Sequence, residues 1–246
     1  MKKLVTALGI AGLCTLPLSG LAAGYKEISI NNSGTLSGKV TFKGEDPAPR
    51  VYRITKDEDA CGEGERVIDY VRVNNGALQD VVVYLDKVTE GKPFPPEVGN
   101  GGTVQEACEF KPFFSVMRNN TKFESINKDP VLHNIHTYEI LGRRKKTVFN
   151  ISQPEQNTVV GEVKLKRGVG MKIECDAHDF MHAFVFTANN PYYAVVDEKG
   201  NFTIDQIPPG KYVIKAWHGR LKEQKAQVEV TTGGNTAVDF EFTKKR

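Results

Sequence analysis

Beyond its N-terminus the sequence has no long hydrophobic run, so it predicts no membrane-spanning helix there. The N-terminus itself reads Met1-Lys2-Lys3, then the apolar run Leu4 to Leu18, then small residues up to Ala23. This order is typical of a cleaved secretory signal, and we expect residues 1–23 to be removed from an exported, periplasmic protein. Cys14 lies inside the apolar run and follows Leu13, where a lipid attachment site would need a small residue, so no lipid anchor is expected.

A strong charge of either sign is also absent. The 33 Lys and Arg residues nearly balance 30 Asp and Glu residues, which leaves a formal net charge of +3. Loss of Lys2 and Lys3 with the signal lowers this value further. We therefore expect neither a nucleic-acid nor a membrane partner. One basic cluster, residues 142–146, is interpreted as a solvated loop or a docking patch for an acidic redox partner.

The sequence lacks the common catalytic motifs. It has no nucleophile elbow, no phosphate-binding loop and no His-Glu-x-x-His helix. Asp176 and Asp179 are too close in one short segment to face each other across a sugar, as a glycosidase pair would. We therefore expect a protein that is not an enzyme.

Short runs of β-branched and aromatic residues fill the chain between Gly, Asn, Asp and Pro punctuation. They predict strands at Thr35 to Phe42, Asp80 to Leu85, Val159 to Leu165, Ala183 to Thr187 and Lys211 to Trp217. Residues 74–76, 198–201 and 208–210 have the composition of tight turns. No long stretch has a helical period, so the sequence predicts an all-β fold of sandwich or barrel type.

Two changes of composition, at Glu90 to Gly102 and at residues 189–191, suggest segment boundaries. We expect a first β segment over 24–98, a middle domain over 99–189 and a closing β segment over 190–246. The pattern Gly34-Thr-Leu-Ser-Gly-Lys-Val-Thr-Phe and the stretch 197–212 resemble the two halves of a carboxypeptidase regulatory-like (transthyretin-like) β-sandwich. The resemblance implies a discontinuous sandwich with the middle domain inserted, and two tandem domains remain an alternative.

The strongest chemical signal is the segment Cys175-Asp-Ala-His178-Asp-Phe-Met181, which lies between two predicted strands. A hairpin loop there would present a thiolate, an imidazole and a thioether to one ion, the donor mixture of a blue-copper site. A second imidazole is available upstream in Leu132-His133-Asn134-Ile135-His136.

Together these two segments resemble the cupredoxin family, in particular its amicyanin-like and plastocyanin-like members, over about Thr103 to Thr187. The resemblance implies a Greek-key β-barrel with one type 1 copper and a role in electron transport. It assigns the metal ligands as His133, Cys175, His178 and Met181. It also implies that Asn134 braces the ligand loops and that electrons leave through His178. The implied partners are a c-type cytochrome or a dehydrogenase.

Several alternatives accompany this interpretation. Zinc is the competing metal, although structural zinc sites rarely take a thioether and usually carry two or more thiolates. A disulfide is the competing interpretation of Cys175 in an exported protein, but Cys61 and Cys108 can pair and leave it free; two further free thiols are the alternative.

The remaining histidines and methionines are expected to lie outside the ligand set. His136 follows His133 by three positions and would point to the other face of a strand, so we interpret it as a support for the site or a surface residue. His182 is expected at the surface near the site, and His218 in a structural role. Met117 and Met171 are expected in the core.

Two functions of different classes follow. The first is an electron carrier with one copper ion. The second is a periplasmic module that stores copper, or binds a carbohydrate or protein surface, without transferring electrons.

Overall fold

The computed structural model describes residues 24–244. The predicted signal peptide, with Cys14, lies outside the described residues. Within them no helix has the length and apolar character needed to cross a bilayer.

The described chain is almost entirely β-structure, which confirms the predicted all-β fold. The strands before the middle of the chain are β1 Lys26–Glu27, β2 Gly34–Lys43, β3 Arg50–Arg53, β4 Glu65–Ile68, β5 Val73–Asn74, β6 Ala77–Leu78, β7 Val81–Leu85 and β8 Glu90–Gly91. Those of the middle are β9 Gly101–Gln105, β10 Phe110–Lys111, β11 Phe114–Arg118, β12 Thr121–Asn127, β13 His133–Leu141, β14 Arg144–Gln153, β15 Thr158–Val163, β16 Gly170–Glu174 and β17 His182–Ala188. The last are β18 Tyr193–Val195, β19 Asn201–Ile207, β20 Gly210–His218, β21 Gln224–Val230, β22 Asn235–Ala237 and β23 Phe240–Thr243. One short helix, α1 Glu58–Cys61, interrupts them.

Strands β9 to β17 pair only with one another among the described residues. They form one sheet in the order β10-β9-β12-β15 and a second in the order β11-β17-β16-β13-β14. The second sheet carries the segments in which the sequence places the metal ligands.

Strands from the two ends of the chain share the other large sheets. One sheet has the order β18-β7-β20-β21, and another has the order β19-β2-β6-β5 with β22 and β23 also paired to β2. Two small sheets, β1-β8 and β3-β4, complete the fold. The domain bounds given above stay a prediction.

Strand β17 lies between two buried clusters, because successive side chains of a strand point to opposite faces. Phe184 and Phe186 pack into the cluster that contains Trp217, whereas Ala183 and Val185 pack into the cluster that contains Cys175. Gly170 of β16 lies so close to Trp217 that a Cβ there would be 2.2 Å from the indole ring. The sheet that holds the metal ligands is thus packed on the strand that carries Trp217.

Candidate metal centre

The segment from Cys175 to Met181 forms the loop of the hairpin between β16 and β17. The two strands are antiparallel, and Glu174 pairs with His182, so the loop begins and ends at the same edge of the sheet. Two backbone bonds close the loop: the Met181 amide donates to His178 O at 3.1 Å, and the Cys175 amide donates to Met181 O at 3.4 Å.

His133 reaches this loop because β13 is the antiparallel neighbour of β16. His136 pairs with Glu174 in that register, and the first residues of β13 therefore continue past the end of β16. The structure thus brings His133 beside the loop, as the ligand assignment requires.

Three donor atoms converge at this point. The Nδ1 atoms of His133 and His178 are 3.1 Å apart. The Sγ atom of Cys175 lies 3.9 Å from the first Nδ1 and 3.7 Å from the second. His133, His178 and Cys175 are exposed by only 0%, 1% and 3%, so water has almost no access to them.

Each histidine uses its other ring nitrogen to bind a carboxylate. His133 Nε2 lies 2.9 Å from Asp129 Oδ2, and His178 Nε2 lies 2.9 Å from Asp57 Oδ2. An ionised carboxylate only accepts hydrogen bonds, so the proton of each neutral ring is assigned to Nε2. Both Nδ1 atoms then present lone pairs to each other and to the sulfur, an arrangement that a bound cation stabilises.

Asp129 is a well-supported partner for His133. Burial raises the pKa of the Asp129 carboxyl, but hydrogen bonds from the Cys108 amide, from His133 and from the Ala107 amide outweigh this effect and lower the pKa below its usual value. The carboxylate is therefore ionised near neutral pH.

Cys175 is the free cysteine of the described chain. Burial raises the pKa of its thiol, although the backbone amides of Asn134, Ala177 and His178 bond the sulfur and oppose the rise. Amide donors aimed at a sulfur stabilise the thiolate, the form in which cysteine binds metals.

Met181 is fully buried and belongs to the same apolar cluster as Cys175. Its backbone is held by the two loop bonds described above. The structure therefore places its side chain in the same buried cluster as the Cys175 thiol.

Asn134 and His136 support the loop without joining the donor cluster. Asn134 Oδ1 accepts the Asp176 amide at 2.6 Å, and Asn134 Nδ2 donates to Asp176 Oδ2 at 2.9 Å. His136 binds the same carboxylate through Nδ1 at 3.0 Å and stacks on Tyr138 with ring centroids 4.0 Å apart.

Cys61 and Cys108 form a disulfide in the structure. It lies beside the centre: one ligand atom each from Cys61, Cys108 and His178 fit within 4.8 Å of one another, and so do those of Cys108, Asp129 and His133. The pairing leaves Cys175 as the single thiol near the histidines.

Other residues considered from the sequence are not among the three donors that converge. His182 is more buried than expected, with a side chain 9% exposed and a hydrogen bond to Tyr70. His218 is buried, as are Met117 and Met171. Asp179 is exposed.

Asp57 and Asp129 were not predicted from the sequence. Asp129 lies four residues before His133 and next to the Pro130 turn, so this short separation could have indicated that it lies near His133. Asp57 precedes His178 by 121 positions, and no local pattern connects the two residues. Asp57 covers the Nε2 edge of the His178 ring, through which electrons were expected to leave.

Comparisons with known proteins give partial matches. The family model described as polysaccharide lyase family 4, domain II, matches residues 157–238. No curated protein sequence matches the chain.

Solved structures similar to part of the chain are cupredoxins and a related enzyme. A reduced Cu(I) form of an amicyanin variant is 14% identical, over 37% of this chain and 83% of that one, with a TM-score of 0.30. A purple cupredoxin from Nitrosopumilus maritimus is 15% identical, over 36% and 99%, with a TM-score of 0.30. The copper-containing nitrite reductase from Thermus scotoductus SA-01 is 12% identical, over 42% and 24%, with a TM-score of 0.29. At such scores the likeness carries no weight, and the metal chemistry has to be inferred from the chain's own residues.

Proposed function

We propose that the chain is a periplasmic blue copper protein that carries single electrons between redox partners and is not an enzyme. It would hold one type 1 copper ion through His133, Cys175, His178 and Met181. The observation that carries this proposal is the convergence of two Nδ1 atoms and one Sγ atom while both Nε2 atoms are bound to carboxylates.

The donor set favours copper over zinc. It offers one thiolate, two imidazoles and one thioether, whereas structural zinc sites usually use two or more thiolates. The disulfide removes Cys61 and Cys108 from the available thiolates. A copper ion bound there would supply one-electron redox chemistry.

The protein contributes rigidity and exclusion of water. His133 and Cys175 are anchored at the ends of paired strands, and Asn134 ties those two ends together. Because the donors are buried in packed β-structure, they have little freedom to follow a change in metal charge. Small rearrangement favours rapid electron transfer.

Partners and location belong to the same proposal. The predicted signal favours the periplasm, where a c-type cytochrome or a dehydrogenase would exchange electrons with this protein. We also propose that the strands shared between the two ends of the chain form a carboxypeptidase regulatory-like sandwich around the metal-binding part.

Copper binding without electron transfer is the second candidate. The burial of His178 and the Asp57 carboxylate on its Nε2 favour it, because they cover the ring edge through which an electron would leave. A storage protein would bind Cu(I) tightly and would exchange electrons slowly.

Visible and electron paramagnetic resonance spectra of the copper-loaded mature chain test the proposal. We expect an intense blue colour from thiolate-to-copper charge transfer, lost in Cys175→Ser. A colourless Cu(II)-loaded wild type would refute the blue-copper assignment. A blue protein that exchanges electrons only slowly with a cytochrome would favour storage.

The assignment of Met181 has its own test. Met181→Gln should keep the metal and lower its reduction potential, because the axial ligand tunes a blue-copper site more than it anchors the ion. Voltammetry of the loaded variant measures this shift. An unchanged potential would remove Met181 from the ligand set.

A further inference from the structure

Asp57 has a left-handed backbone conformation. It immediately precedes helix α1 with φ 53° and ψ 40°, a region that aspartate adopts more readily than most residues other than glycine. Seven other non-glycine residues of the described chain also have positive φ, so the distinguishing feature of Asp57 is its side-chain contact.

The side chain of Asp57 is also used in an unusual way. Aspartate is among the preferred residues at the N-cap of a helix, where its carboxylate normally accepts a backbone N–H of the first turn. Asp57 makes no such bond. Its Oδ2 lies 2.9 Å from His178 Nε2 instead.

The chain around Asp57 is held in place near the centre. The Cys61–Cys108 disulfide ties the end of α1 to the loop whose amides bind Asp129. Arg66 Nη2 donates to Cys61 O at 2.9 Å and to Ala107 O at 3.0 Å, which bridges the same two segments. The carboxylate therefore meets His178 from a fixed direction.

We propose that Asp57 is a positioning residue of the metal centre: it binds the Nε2–H of His178 and turns the Nδ1 lone pair of that ring towards Cys175 and His133. This inference rests on the proposed function. Asp129 does the same for His133, so each ligand histidine is oriented by a carboxylate. For His178, that carboxylate belongs to a distant part of the chain.

Removing a partner of this kind typically weakens metal binding by about 10–100-fold. We expect a loss of that size in Asp57→Gly, measured by competition of the protein with a copper chelator. Glycine adopts positive φ without strain, so this variant should keep the backbone conformation of the wild type. Asp57→Asn keeps an oxygen acceptor and a residue tolerant of this backbone, and should restore most of the affinity.

Asp59→Ala is the matched control. It removes the same charge two residues away, from an exposed position in α1, and should change the affinity by less than twofold. An equal loss in Asp57→Gly and Asp59→Ala would mean that charge alone matters and would overturn the proposal.

The tautomer of His178 in the metal-free protein gives a second readout that a merely structural role would not change. Imidazole ¹⁵N chemical shifts should report a single Nε2–H form in the wild type and in Asp59→Ala, and a mixture of tautomers in Asp57→Gly. A single Nε2–H form in Asp57→Gly, or full affinity despite mixed tautomers, would refute the inference. Failure of the wild type to take up copper would instead refute the proposed function.

Discussion

Asn134 joins the strand that carries His133 to the loop that carries Cys175. Its side chain makes two hydrogen bonds to Asp176 and a third to Asn150 Oδ1 at 2.7 Å. At about 0.5–1.5 kcal/mol for each of the three hydrogen bonds, we expect Asn134→Ala to lower the free energy of unfolding by about 1.5–4.5 kcal/mol. Urea unfolding of the metal-free protein measures the change.

Asn150→Ala is the control for this prediction. Asn150 is exposed and binds the same carboxylate, through Nδ2 at 3.0 Å, but it does not touch the loop backbone. Its removal should cost less than removal of Asn134. Equal costs would show that the Asn134 bond to the Asp176 amide contributes nothing.

His218 should make the protein less stable in acid. Burial, together with the charges of Arg220 and Arg72, lowers the pKa of His218 to about 3. In the unfolded chain the pKa returns to about 6.5. Between these values the unfolded state binds the extra proton, so stability falls as the pH drops from about 6.5 towards 3, by up to about 1.4 kcal/mol per pH unit.

Thermal unfolding of His218→Asn across this pH range tests the expectation. The Asn side chain can keep the acceptor that His218 Nδ1 offers to the Arg220 amide. Relative to its own value at pH 8, the variant should lose less stability than the wild type at pH 4 to 6. Parallel curves for the two proteins would contradict the assignment.

At this scale the structure brings together His133, Cys175 and His178, which the sequence singles out, whereas the two carboxylates on the histidines were not predicted. Cys175, His178 and Met181 are within one short loop, so spacing alone places them together. His133 was assigned on chemical grounds, since the donor set of a blue-copper site requires a second imidazole. Neither spacing nor the chemistry of the donor set could identify Asp57, because only the folded chain brings it to His178.

The disulfide connects two elements that flank the metal centre, α1 and the loop after β9. It closes a loop with a sequence separation of 47, and the chain-entropy model gives about 4 kcal/mol for a loop of this length. The double variant Cys61→Ser, Cys108→Ser should lose stability of that order in guanidinium unfolding of the metal-free protein.

A thiol reductant provides the control for the disulfide prediction. It should destabilise the wild type towards the level of the double variant and leave the variant itself unchanged. Equal unfolding midpoints for the oxidised wild type and the variant would show that the cross-link adds no stability.

The individual strands are more predictable than their pairing. The expected strands Thr35 to Phe42 and Lys211 to Trp217 correspond to β2 and β20 within one residue at each end, because alternating burial is a local property. The pairing of β13 with β16 depends on contacts across more than thirty positions, which no local pattern specifies.

Over the whole molecule, the proposed metal centre depends on parts of the chain that are far apart. The donors come from β13 and the β16–β17 loop, whereas Asp57 comes from the segment before α1. On the other face of β17, Phe186 packs on Trp217, with ring centroids 5.8 Å apart. Parts of the chain outside β9 to β17 therefore contribute both support and a carboxylate to the proposed site.

A groove of about 590 Å³ marks the side on which the centre approaches the molecular surface. His178 is the one proposed ligand among its lining residues. One wall, from β3 and the residues that follow it, carries Arg50, Arg53 and Lys56. The opposite wall carries Asp176 and Asp179.

The basic cluster noted in the sequence lies elsewhere. Residues 142–143 form the turn between β13 and β14, and residues 144–146 begin β14, at the end of β13 opposite to His133. At about 3.4 Å per residue, the strand places this turn roughly 27 Å from His133. Electron tunnelling weakens steeply with distance, so an acidic partner docked on the turn would exchange electrons poorly.

We therefore expect an anionic electron acceptor to use the groove and not the turn. Stopped-flow oxidation of the Cu(I) protein by hexacyanoferrate(III) at low ionic strength measures this preference. Arg50→Glu with Arg53→Glu should slow the reaction about tenfold, within the range by which surface charge steers association. Arg143→Glu with Arg144→Glu makes the same change in net charge at the distant turn and should have a much smaller effect.

Salt at 0.1 M or above should reduce the difference in rate between the two double variants, because it screens exposed charges beyond about 10 Å. Equal slowing by the two double variants would mean that only net charge matters and that the acceptor does not dock in the groove.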